Sequence, residues 1–395
     1  MPDKIPGKLI SEDHRVHPPC PHFDRLSAPP SLQEGGDERN LGIAGAKRPQ
    51  SPNSAIPVFL IAAALLTLAC LCLPVGAGTP PTAAPGSGST TPLPIVLEKH
   101  PVGPQDIPVC VNRLQRLLAL TEKASYGGGE LQSEVTLADY TVSGDEIGSP
   151  VFPVMALDPG MEAYQEDVAS QQKIWQFVTD VIPADRRAEI SRFVLFTDGP
   201  GNALGTVEQA DDDPHLWKFE LDMVDAAYFP DFSSTVIHEF AHLLSLNDSQ
   251  VVTDMELFDN PDDEQTYEAD AAACGTYFVS EGCSRPDSYM ALFFERFWPD
   301  LYDEWTAINV IEDDARREAR LSDFYQEYAD QFVSEYAATS PEEDLAESFL
   351  YFIFSPQPSR NTVSAQKIRF FYEFPELVAL RDRILPNLCA YVDMP

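Results

Sequence analysis

Read from its N-terminus, the chain changes its pattern of apolar and polar positions three times. Residues 1–53 mix Pro, Gly and charged side chains with no apolar period longer than a turn. They carry too little apolar surface to offset the entropy of ordering, and a disordered leader is expected. Residues 55–73 (AIPVFLIAAALLTLACLCL) are uncharged and nearly all apolar, long enough as a helix to cross a hydrocarbon core of about 30 Å. Residues 74–97 open with PVGAGTPPTAAPGSGSTTPLP, a composition that stays extended and acts as a linker. From 98 to 395 the pattern is that of one folded unit with no internal repeat and no second linker.

Within that unit, apolar residues recur at three-four spacing over 111–125 and 161–181, which predicts helices. Short β-rich runs at 135–142, 192–196 and 216–223 predict strands, the last alternating Leu216, Lys218, Glu220 with Trp217, Phe219, Leu221. From 233 onward the chain reads as mostly helical. A small sheet followed by a helical lobe is an α+β pattern, in which the run 216–223 could serve as an edge strand that aligns an extended peptide.

Composition sharpens this picture. The 26 Lys and Arg against 63 Asp and Glu give a net charge of -37, which leaves no basic footprint for nucleic acid and opposes anionic membrane. The acidic excess suits a solvated surface, and no D-x-D-x-D-G loop supports calcium binding. Lys47 and Arg48 precede the apolar run, which places the leader in the cytoplasm. Two readings of 55–73 stay open: an uncleaved single-pass signal anchor, or a signal peptide cleaved near Gly76, Ala77 and Gly78. A lipoprotein through Cys70 or Cys72 is a third, disfavoured because neither has a Leu three residues earlier. Each exports the rest, as a membrane-tethered or secreted domain. Beyond the run only Cys110, Cys274, Cys283 and Cys389 remain. Their even number suits disulfides in an oxidising compartment, with Cys274 paired to Cys283 and Cys110 to Cys389, and their spacing forms no Cys-x-x-Cys zinc site.

The run 233–247 reads SSTVIHEFAHLLSLN and contains H-E-x-x-H. Ser233 or Ser234 can cap a helix, Val236, Ile237, Phe240, Ala241 and Leu244 supply its buried side, and Asn247 can end it. His238 and His242 are then one turn apart on one face, able to reach a single Zn²⁺ at about 2.0–2.1 Å. Glu239 points to a neighbouring direction, where its carboxylate can act as base towards a water.

Catalytic zinc takes three protein ligands, so a third is needed. His100 and His215 are the other histidines outside the leader, and neither sits in a poised context. Asp248 is an alternative, but with Ser245 after the motif the helix has no reason to break and return it. The better candidates are Glu343 and Glu347 in 341–354 (PEEDLAESFLYFIF), i and i+4 on a second helix. One can bind zinc while the other accepts a hydrogen bond from a ligating imidazole. Ser340, Pro341 and Glu343 also form a capping box, which needs no metal to explain it.

The pairing of His238-Glu239-Phe240-Ala241-His242 with Glu343-Asp344-Leu345-Ala346-Glu347 resembles the gluzincins of the anthrax lethal factor type and the zinc-binding metallopeptidases whose second helix reads E-D-x-A-E. The likeness spans 233–354 only. It implies a zincin-like fold in which the first glutamate, Glu343, is the third zinc ligand, with Glu347 behind a ligand. It also implies an active-site role for a tyrosine seven residues before that glutamate, where Tyr336 stands. Asp344 and Asp248 are read as surface or supporting residues. The expected activity is hydrolysis of peptide bonds outside the cytoplasm, with peptides or proteins as substrates. Two alternatives keep the metal: a zinc-stabilised binding module of the cell surface, and a hydrolase of a non-protein amide such as a cell-wall crosslink.

Overall fold

Helix α1 (Ile107–Thr121) precedes strands β1 (Val135–Ser143) and β2 (Glu146–Ile147), helices α2 (Pro159–Glu166) and α3 (Val168–Val181), and strands β3 (Ile190–Thr197), β4 (Gly205–Ala210) and β5 (Asp213–Asp222). The computed structural model describes residues 94–121, 134–153, 157, 159–199, 203–261 and 263–393. The leader, the apolar run at 55–73 and most of the linker lie outside the described residues. Among those described, no helix is long and apolar enough to cross a membrane. Ile95 is already packed in the core.

The five strands form one mixed sheet in the order β2-β1-β3-β5-β4. β3 and β5 run parallel, and the other pairings are antiparallel. The run 216–223 is therefore not an edge. It lies in β5, between β3 and β4, and is buried on both faces from Trp217 onward. The edge belongs to β4, whose sequence GTVEQA carries too few β-formers to stand out.

Helix α4 (Phe229–Leu246) lies against this sheet and is buried from Asp231 to its end. It starts a turn before the expected Ser cap. Pro230 occupies its first turn, and Ser234 instead donates to the Pro230 carbonyl at 2.9 Å from inside the helix. Asn247 ends it by donating to Leu243 O at 2.7 Å. The edge strand approaches α4 closely. A Cβ on Gly205 would lie 2.7 Å from Thr235 Cγ2 and 3.0 Å from Glu220 O, so only glycine fits there. The expected single helix over 161–181 is two, because the Asp167 carboxylate accepts from Ser170 N at 3.1 Å and opens α3 afresh.

The rest is largely helical. A small sheet of β6 (Val251–Thr253), β7 (Phe278–Val279) and β8 (Gly282–Ser284) is interleaved with α5 (Met255–Asp259) and α6 (Glu264–Ala273). Then come α7 (Tyr289–Phe297), α8 (Tyr302–Asn309), α9 (Asp314–Glu327), α10 (Pro341–Phe354), α11 (Val363–Phe370) and α12 (Pro375–Cys389). The architecture is α+β. α10 packs on α4, and Phe240 meets Phe349 edge-on at 6.1 Å between ring centroids. α12 returns to α1 through the Cys110–Cys389 disulfide, and Cys274 bonds to Cys283 across the small sheet.

The first bridge closes a loop of 279 residues and the second one of 9. Loop-closure entropy makes the first worth roughly 5–6 kcal/mol and the second roughly 2–3 kcal/mol. Urea unfolding of Cys110→Ser/Cys389→Ser should therefore show the larger fall in midpoint, and Cys274→Ser/Cys283→Ser the smaller.

Candidate metal centre

Two helices meet at the motif because each is apolar where they touch. α4 contributes Val236, Ile237, Phe240 and Ala241 to the core, and α10 contributes Leu345, Ala346 and Phe349. The Ser340 hydroxyl caps α10 by accepting from Glu343 N at 3.1 Å, and Pro341 fills its first position. That fixes where Glu343 leaves the backbone. Its carboxylate then reaches across to α4.

His238 Nε2, His242 Nε2 and Glu343 Oε2 converge. The two ring nitrogens are 3.1 Å apart, and the carboxylate oxygen is 2.9 Å from the first and 3.5 Å from the second. All three residues are buried. Glu343 Oε2 is buried yet makes no hydrogen bond of sound geometry, although both nitrogens face it. Ligand atoms of a tetrahedral zinc with bonds of about 2.0–2.1 Å lie about 3.4 Å apart, close to this triangle. The three residues fit a divalent ion.

Behind them, Glu347 accepts from His238 Nδ1 at 2.9 Å and from the Ser334 hydroxyl at 2.6 Å. A proton held on Nδ1 leaves Nε2 as the free lone pair, the tautomer a metal ligand requires. Burial by itself would lower the His238 imidazole. The carboxylates of Glu343 and Glu347 beside it, with the charge of Glu239, outweigh burial and hold it well above its ordinary value. For His242 burial likewise acts downward and Glu343 overturns it, so this imidazole is raised too. Burial acts to raise Glu343, but the two imidazoles pull its carboxyl far below the usual range.

Glu239 lies beside the cluster. Burial raises its carboxyl against the pull of His238 and His242, and it accepts a hydrogen bond from the backbone of Val207 on edge strand β4. The Tyr336 ring is tilted against the His238 ring at 5.6 Å. Its outer edge leaves the residue 38% exposed, while its hydroxyl is enclosed and hydrogen-bonded to Glu343. Burial first, then the charges of Glu343, Glu239 and Glu347, lift the phenol well above its ordinary value. The i, i+4 spacing of Phe332 and Tyr336 reads as one helix, but Tyr336 stands on a short 3₁₀ turn, Tyr336–Ala338. α9 has ended well before it.

Several expectations are relocated. Asp248 is not at the cluster: it pairs with His215 Nδ1 at 2.6 Å on the surface and accepts from Thr253 at 2.6 Å. His100 lies near Asp393 at 3.3 Å, also exposed. Asp344 is not a surface residue. It is fully buried, 2.5 Å from Lys367 Nζ. Its burial was hidden because a charged residue in a helical first turn reads as solvated. Sequence reasoning also missed Val207 and Ser334, neither of which belongs to a motif. It missed Glu281 on the β7–β8 turn, raised to about 7 by burial and by Glu342, with His242 opposing.

A proton held more tightly than on free imidazole must leave before that nitrogen can bind a metal. Apparent metal affinity should therefore rise with pH through and above about 6.5 and fall in acid, with proton release. Titration calorimetry of Zn²⁺ in buffers of different ionisation enthalpy checks this. His238→Ala and Glu343→Ala should lose binding of the ion, and Asp248→Ala should retain it.

No protein-family model, curated protein or solved structure matches the chain, so its functional reading rests on this geometry.

Proposed function

We propose that the chain is a zinc-dependent peptidase of gluzincin type, with a zincin-like arrangement of edge strand, motif helix and glutamate helix, acting outside the cytoplasm. The observation that carries this reading is the placement of Glu239. A buried carboxylate sits next to a convergent His238, His242 and Glu343, which is more than a structural metal site needs. His238, His242 and Glu343 would hold the zinc, with Glu347 and Ser334 fixing the first imidazole. Zinc, when bound, is a Lewis acid that polarises a carbonyl and makes water more acidic.

The chain's own groups complete the chemistry. Glu239 takes a proton from the attacking water and passes it to the departing amine nitrogen. Burial raises its carboxyl, which makes it a stronger proton acceptor than a surface glutamate. Tyr336, like any phenol, is protonated at neutral pH, and burial first, then the neighbouring carboxylates, raise it further, so it can donate to the carbonyl oxygen as negative charge develops there. Among the described residues, β4 pairs on one side only, with β5. Its other side, beside Glu239, can take an extended substrate as an added strand. The two disulfides suit an oxidising compartment, reached as a tethered or secreted domain through the segment at 55–73.

The test is mass spectrometry of a peptide library incubated with the zinc-loaded protein. Glu239→Gln should keep one zinc and lose about 10²–10⁴ in kcat, the usual contribution of a general base. Tyr336→Phe should lose about 10²–10³ in kcat with little change in KM. Full cleavage by Glu239→Gln would overturn the reading. A zinc-loaded wild type that spares peptides but releases products from isolated cell-wall material would point to a non-protein amide instead.

A further inference from the structure

Helix α10 has an unusual problem. It is buried at residues 341, 343–350 and 352–354, almost all round, so no single apolar stripe fixes its rotation about its own axis. Yet its function depends on rotation. Successive side chains of a helix point about 100° apart, so a modest turn would carry Glu343 away from His238.

Directional contacts can fix what apolar packing leaves free, and they gather on the residue next to the ligand. Asp344 is fully buried, accepts a hydrogen bond from Trp298 Nε1 at 2.9 Å and is ion-paired with Lys367 Nζ at 2.5 Å. Lys367 is itself fully buried. Its ammonium stands 4.1 Å from the Phe332 ring centroid and 5.9 Å from those of Phe297 and Trp298, in a cage that excludes water. A second indole holds the approach to the same helix: Trp305 Nε1 donates to Thr339 O at 2.8 Å, one residue before the Ser340 cap. The two indoles touch edge-on at 6.0 Å. Asp344 is thus held from one side while Glu343 reaches out from another.

We propose that Asp344, Lys367 and Trp298 are positioning residues that set the rotation of α10 and thereby hold Glu343 against the two imidazoles. This rests on the metal reading above. A buried ion pair is a poor source of stability, since replacing both charges by neutral groups of similar volume is often neutral or stabilising, and its best-attested use is to specify register. The pair's contribution is therefore expected in metal affinity and not in folding.

The deciding experiment compares wild type with Asp344→Asn/Lys367→Met, which leaves no buried charge unpaired and keeps an amide for Trp298 to bond. Read-outs are far-UV circular dichroism and melting of the metal-free proteins, Zn²⁺ affinity by competition with a chelator, and the visible absorption of the Co²⁺-loaded site. Expected are an unchanged metal-free fold, Zn²⁺ affinity weaker by about tenfold or more, and an altered Co²⁺ band. Wild-type affinity with a wild-type Co²⁺ spectrum would overturn the proposal and leave the pair as core filling. If the double variant does not fold, Trp298→Phe decides, because it keeps a ring and deletes one donor: weaker Zn²⁺ binding supports positioning, and unchanged binding overturns it. Failure of wild type to bind Zn²⁺ at all would instead sink the metal reading, and this one with it.

Discussion

A carboxylate oxygen 2.9 Å and 3.5 Å from two imidazole nitrogens that are themselves 3.1 Å apart is an arrangement of lone pairs facing one another. Buried from water, it is tolerable only with positive charge between the atoms, from protons on the rings or from a metal ion. Everything else about α4 and α10 follows from keeping this convergence. Their facing surfaces are apolar, so that helix contact is favourable wherever the three polar groups do not meet. The cap at Ser340 ensures that Glu343 leaves the helix in its first turn, where the partial positive end of the helix also favours a carboxylate.

The same constraint reaches outward. Glu239 lies near the cluster, where the proposed reading makes it a base, and its bond to the Val207 backbone ties it to the sheet edge. That contact requires β4 to approach α4, which Gly205 permits because no side chain stands against Thr235. Ser334 joins the third element: it donates to Glu347 and accepts from Ala337 N at 3.1 Å. The turn that carries Tyr336 is therefore linked through one hydroxyl to the carboxylate that holds His238. Strand, motif helix, glutamate helix and tyrosine turn are coupled by single directional bonds, each unremarkable alone.

What could be read from the sequence was what repeats or what is chemically rare. H-E-x-x-H needs only local helix geometry, so His238, Glu239 and His242 follow from spacing, and Glu343 with Glu347 follows from a second i, i+4 pair. Strands β1, β3 and β5 were legible because Val, Phe, Leu and Trp cluster in them. β4 was not, because its residues serve a position at an edge and not a propensity, and with β4 missed, β5 was misread as the edge. Asp344 shows the opposite failure. Its partner Lys367 is 23 residues later in sequence on α11, and nothing local says that a charge in a helix's first turn faces inward. Long-range pairing of buried charges leaves no period along the chain.

On the metal reading proposed above, the charge count of the centre would let a divalent ion take the place of protons. Glu239, Glu343 and Glu347 bring three carboxylates to two imidazoles that are each raised by those neighbours. Two imidazolium protons supply the same positive charge as one divalent ion, so exchange of one for the other leaves the net charge of the buried cluster unaltered. On that reading, a site balanced in both states needs little rearrangement of its surroundings to be loaded. Tyr336 fits the same balance. A second ionisable group that lost a proton here would add negative charge to a cluster already in excess, and the raised phenol keeps it a neutral donor in either state. The electrostatics that would retain a cation at His238, His242 and Glu343 are thus the same ones that raise the Tyr336 phenol and, on the proposed reading, keep it a hydrogen-bond donor.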